Sequence, residues 1–152
     1  MLEQEDLGNP EVITAWLKEN SGKADKTNAR WFFEYGVKAK IEKRSGPAGK
    51  AFAESAVRYP TPQAINEYAD LKLRMLGEIR ARTAEGKRHW KSDLTSIAAL
   101  YQSALAADAV LNTLGTTEKE NTRKNAGCLA TYVHTKKVQF PCPPLQTYGL
   151  GR

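Results

Sequence analysis

The chain reads as an all-α protein: a single-domain bundle of five or six helices around a central apolar helix at about 92–114, followed by an extended, proline-rich C-terminal arm. Three observations predict this. Apolar residues recur at three- and four-residue steps. Capping residues, prolines and glycines punctuate those stretches where helices start and stop. One stretch, Ser92 to Leu114, is apolar around almost its whole circumference, as a buried core helix should be. The 152 residues divide into a helical domain over 1–139 and an arm over 140–152, enough for one self-sufficient core.

The first helix is announced by Asn9 as cap, Pro10 at the first helical position and Glu11 in the first turn. Val12, Ile13, Trp16 and Leu17 form its apolar stripe, and Asn20-Ser21-Gly22 ends it. A polar connector, Lys23 to Thr27, leads to a second helix from Asn28 to about Arg44. Its apolar residues are Trp31, Phe32, Tyr35 and Ile41, and Gly36 weakens it. A short strand over Trp31–Tyr35 is the rival reading. Ser45-Gly46-Pro47 reads as a stop, and an alanine-rich helix follows from Gly49 to Tyr59. Thr61 and Pro62 open a long helix to about Thr83. Ala64, Tyr68, Leu71, Met75 and Ile79 line one face, and Asp70–Arg74 and Glu78–Arg82 stand as surface pairs. After the turn at Ala84-Glu85-Gly86 comes the apolar helix, capped by Ser92 or Asp93 and closed by Gly115. A last helix starts at Thr116 or Thr117 and ends near Lys136 or Lys137. From Phe140 onward, prolines and glycines predict an extended arm able to reach a neighbouring copy.

Charge is the most informative feature. The net charge is +6, and between Gly36 and Lys91 there are thirteen Lys/Arg against six Asp/Glu. Clustered cations on regular elements suit an anionic partner. Lys38, Lys40, Lys43, Arg44 and Lys50 form one group. Arg80, Arg82, Lys87, Arg88 and Lys91 form a second, with Trp90 inside it. Arg123, Lys124, Lys136 and Lys137 form a third. Trp31, Phe32 and Tyr35 precede the first group, and cations interleaved with rings are what single-stranded nucleic acid needs. The competing reading puts Trp31 and Trp90 in the core behind a solvated basic face.

Little else points to chemistry. Cys128 and Cys142 lack CxxC partners, so a zinc site is not expected. Their spacing permits a disulfide, but with no secretory signal two free thiols are expected. No stretch is expected to span a bilayer, and the location expected is cytoplasmic or within an intracellularly assembled particle. His134 and Cys128 are six residues apart, on nearly opposite helix faces, and His89 lies in a basic run. Glu67 and Asp70, like Glu118 and Glu120, read as solvated carboxylates. Asp108, alone in an apolar helix, should pair with an arginine of another helix, Arg30, Arg58 or Arg74. Gly46-Pro47-Ala48-Gly49-Lys50 lacks phosphate-loop spacing, but could supply one anion contact. An enzyme would need a pocket where Asp108, a histidine or a tyrosine converge.

These observations predict a non-enzymatic protein with no cofactor and no metal. It would bind nucleic acid through the phosphate backbone, as a nucleoprotein or coat-type subunit. The alternative is a protein-interaction module (an immunity protein, adaptor or structural subunit) whose basic face meets an acidic partner. A homo-oligomer joined by terminal arms fits either reading.

Overall fold

Asparagine before proline starts the first helix as its chemistry dictates: the Asn9 side chain accepts from the Val12 N–H, and Pro10 fills the first position. The computed structural model describes residues 1–82, 90–135, 137, 142, 144 and 145, with side chains described through 77 and again from 91. Among them are six α-helices: α1 (Pro10–Asn20), α2 (Lys26–Ile41), α3 (Ser45–Arg58), α4 (Pro62–Arg82), α5 (Trp90–Leu111) and α6 (Thr116–Thr135). A short 3-10 turn, Gln4–Gly8, precedes them and buries Leu7. There is no strand among the described residues, so Trp31–Tyr35 is helical.

Boundaries differ from expectation where a side chain supplies what the backbone needs. α2 starts earlier than expected because Asp25 caps it, accepting from the Asn28 N–H at 3.1 Å. It stops at Ile41 because Lys43 takes the left-handed conformation (φ 61°), which lets the Arg44 N–H reach the Ala39 carbonyl at 2.8 Å. Ser45-Gly46-Pro47 is no stop; it forms the first turn of α3, where proline's missing N–H costs nothing. α5 ends at Leu111, with Asn112 (φ 53°) reversing the chain before Gly115.

α3 and α4 pack side by side, α5 lies against α4, and α1, α6 and the N-terminal turn all rest on α5. Tyr101, Leu94 and Ile97 of α5 are fully buried with Phe52, Ile65, Leu71 and Leu129. The helix is not enclosed all round, however: Thr95, Gln102 and Ala109 lie along an exposed strip. The stretch 91–111 is long and apolar enough to cross a membrane, with a mean hydropathy of 1.3, contrary to expectation. Half of its most apolar window is buried inside the bundle.

Asp108 is buried at 3% exposure, as its apolar setting implied, but its partner is Lys119 of α6 at 3.1 Å and not an arginine. Its other oxygen accepts from the Thr113 and Leu114 N–H groups at 2.9 and 2.8 Å. Burial alone would raise this carboxyl. The Leu114 amide, Lys119 and the Thr113 amide outweigh it and hold the group below the ordinary carboxylate range. One side chain thus satisfies the α5 terminus and ties α6 to it.

The two cysteines are not free. Cys128, on α6, is bonded to Cys142, with their Cα atoms 5.9 Å apart. The bond holds Cys142, fourteen positions after Cys128, against the flank of α6. Cys142 and Leu145 are fully buried there. Pro144 and Leu145 take helical backbone where an extended arm was expected, and proline is tolerated in a first turn. The rest of the expected arm lies outside the described residues.

Candidate functional site

The residues that set α2 against α3 explain which face of α2 is left open. Ala29, Phe33, Gly36 and Lys40 recur at helical spacing and turn inward. A Cβ on Gly36 would lie 2.8 Å from the Phe52 ring, so only glycine lets the helices approach this closely. Phe33 meets Phe52 edge-on at 5.4 Å. The Ser55 hydroxyl donates to the Ala29 carbonyl at 2.7 Å. Lys40 reaches past α3 to Glu67 of α4 at 2.8 Å. Among the described residues α2 leans chiefly on α3, and much of its remaining surface is exposed.

That exposed surface carries four of the five exposed large hydrophobic residues among those described: Trp31, Tyr35, Val37 and Ile41. Trp31 is 57% exposed and Ile41 75%. The rings are organised. Trp31 stacks on Tyr35 at 5.6 Å and meets Phe32 edge-on at 5.0 Å. The Arg58 guanidinium lies over Phe32 at 4.5 Å while bonded to Glu54 at 2.6 Å. Between these rings and Pro47, Lys50 and Glu54 of α3 runs a cleft of about 370 Å³.

The expected basic site is brought together only in part. Lys38 is exposed on the same face of α2, Lys43 and Arg44 sit in the exposed turn after it, and Lys50 lines the cleft. Lys40 is taken up by Glu67, so it is a strut and not a free contact, and Arg44 lies 3.6 Å from Glu42. Arg123 and Lys124 are exposed on α6, which packs on α5 and not on α2. Lys91 is exposed at the start of α5. Lys87, Arg88, His89 and Lys136, and the side chains of Arg80, Arg82 and Trp90, lie outside the described residues, as does the Glu78–Arg82 pair.

The sequence missed two features. Val37 and Ile41 are exposed because α2 rotates its smallest residues, Gly36 and Ala39, inward; the close-packing glycine was the available signal. Asp70 and Glu67 are also not simple solvated carboxylates. Glu67 holds Lys40, and Asp70 turns from Arg74 to accept from the Tyr101 hydroxyl at 2.5 Å. The packing around it pushes the Asp70 carboxyl up although one edge stays exposed, and the Tyr101 bond opposes that rise. Burial first, then Asp70, pushes the Tyr101 hydroxyl far above its ordinary value. The pair faces a polar cavity of about 350 Å³ lined also by Phe33, Asn66 and Glu118.

Cys128 has no thiol to share with the exposed His134. Among the described residues no three His, Cys, Asp or Glu side chains are grouped to hold a metal ion. No family model matches the chain, and neither the curated proteins nor the solved structures include a match to it.

Proposed function

We propose that the protein is a non-enzymatic protein-interaction module that docks through the outer face of α2. The observation that carries this reading is the concentration of exposed large apolar side chains, Trp31, Tyr35, Val37 and Ile41, on that one helix. Apolar residues scattered singly over a surface mean little, but two exposed pairs on one helix, Trp31 with Tyr35 and Val37 with Ile41, on either side of Glu34 and Lys38, support a binding surface. Tryptophan and tyrosine are the usual anchors of such interfaces. The Trp31–Tyr35 stack is already formed, so little side-chain freedom is lost on docking.

Charge narrows the partner. Lys26, Arg30 and Lys38 are exposed along α2, with Glu34 the acid among them. A second copy of the chain would bring these cations together. A different protein, offering an apolar groove with an acidic rim, fits both the rings and the charges.

The test is photocrosslinking from position 37 or 41 in cells that make the protein, then titration of the identified partner. Trp31→Ala and Ile41→Asp should each weaken binding by about 10–100-fold, with melting temperatures held within a few degrees. Unchanged affinity in both variants would overturn the proposal.

A second reading keeps nucleic acid as the partner, favoured by the same stacked rings beside Lys50. It leaves Val37 and Ile41 without a role. A labelled single-stranded oligonucleotide bound at about 50 mM salt, released steeply by added salt and lost in Trp31→Ala, would favour it over the first.

A further inference from the structure

A cavity of about 540 Å³ lies between α3, α4 and α5, next to the aromatic cleft and sharing Lys50 with it, within the range of small-ligand pockets. Its floor is apolar: Ala53, Met75, Leu76 and Ile97. Its rim carries Lys50 and Lys72, and neither forms an ion pair with a described residue. The Lys72 ammonium is steadied 5.3 Å from the Tyr68 ring centroid. Asp93 is the one carboxylate among the described lining residues, so cations are in excess among them.

Two glycines in its wall are not explained by the fold. Gly46 and Gly49 lie within α3, where glycine is weaker than alanine. Neither has a positive φ. An added Cβ would meet nothing within 4 Å at Gly46, and only ordinary contacts at 3.9 Å, with Leu71 and Met75, at Gly49. Gly36 is required by its neighbour; these two are not. A local rule broken without a packing reason marks a place where something else comes close to the backbone.

We propose that this cavity binds an amphiphilic anion, with its head between Lys50 and Lys72 and its hydrocarbon chain along the apolar floor. A fatty acid and an anionic membrane lipid share that chemistry. The first turn of α3 adds only partial positive charge toward the head group.

The test titrates the full chain with monomeric decanoate, with decanol, and with vesicles containing an anionic phospholipid. Decanoate should bind saturably, one per chain, and at least tenfold tighter than decanol. Lys72→Gln, a change at an exposed residue, should weaken it about tenfold. Gly49→Ala should raise the melting temperature by roughly 2–4 °C and still weaken binding, because it strengthens the helix while narrowing the cavity. Vesicle binding that Lys72→Gln also weakens would identify a membrane lipid as the source; decanoate binding without it would identify a soluble acid. No saturable decanoate binding at millimolar concentration, equal binding of decanol, or wild-type affinity in Lys72→Gln would overturn the proposal. Because Trp31→Ala should leave decanoate binding unchanged, this site and the α2 surface stand or fall separately.

Discussion

Replacing Asp108 tests whether one buried carboxylate holds the α5–α6 corner. In Asp108→Ala the Leu114 N–H, bonded at 2.8 Å in a buried position, loses its acceptor. An orphaned buried donor costs about 1–3 kcal/mol. The Thr113 amide is nearer the surface, and Lys119, 32% exposed, can turn to water, so both add little. Alanine returns up to about 0.7 kcal/mol of helix propensity. The expected net loss is about 2 kcal/mol, or roughly 4–8 °C in melting temperature for a chain of this size. Asp108→Asn keeps the oxygen facing the two amides but replaces the oxygen opposite the part-exposed Lys119 with an NH2, so the charge and that acceptor go and about 1 kcal/mol should be lost. The pH dependence separates charge from shape. A carboxyl lowered by folding adds stability above its unfolded value, near 3.8, and that contribution disappears as pH falls through the folded value. The wild type should therefore lose its advantage over Asp108→Asn in acid. Asp70, raised by folding, works the opposite way and is common to both proteins, so it cancels in the difference. Urea unfolding of the three proteins between neutral pH and the acid limit is the measurement. Equal losses in the two variants, with parallel pH profiles, would refute the argument.

Two further outcomes follow from packing and from the disulfide. Gly36→Ala places a Cβ 2.8 Å from the Phe52 ring, where overpacking costs about 1–3 kcal/mol against about 1 regained in helix propensity. It should be destabilised by about 1 kcal/mol in urea and rescued by Phe52→Leu, whereas a more stable Gly36→Ala would show that the α2–α3 contact is loose. Opening the Cys128–Cys142 bond, by reduction or by paired serines, should cost about 2–4 kcal/mol in the chain-entropy account of a fourteen-residue loop. Full alkylation of both cysteines without reductant would show that the bond is absent in solution.

What could be read from residues alone was local. Asn9-Pro10 and Thr61-Pro62 marked helix starts because caps act within a few residues, and the period of Ala64, Tyr68 and Leu71 marked a buried face. What escaped reading depends on partners far along the chain. Nothing near Asp108 says that Lys119 and not Arg58 will reach it, and nothing near Lys40 says that Glu67 lies across the groove, twenty-seven residues on. The α2 surface falls between these cases. Its aromatic and cationic residues were legible, but which of them face outward was fixed by Gly36 meeting Phe52. Burial at that contact turns Trp31 and Ile41 to solvent together, and converts a charge pattern that suggested phosphates into a mixed apolar and cationic ridge.

The disulfide bears on the choice of partner as well as on stability. A bond joining the only two cysteines persists in oxidising compartments and is reduced in the cytosol. The cytoplasmic location expected from the sequence would leave this bond reduced. It also weighs on the two functional readings differently. Nucleic acid is concentrated where thiols stay reduced, whereas partner proteins are met on both sides of a membrane. Lys40, which a phosphate groove would keep free, is bound to Glu67, and Ile41, which phosphate cannot use, is the most exposed apolar residue of α2. Ion pairing and exposed apolar area therefore support the proposal that α2 docks on a protein surface, where its cations would set orientation and encounter rate and its rings would supply most of the affinity.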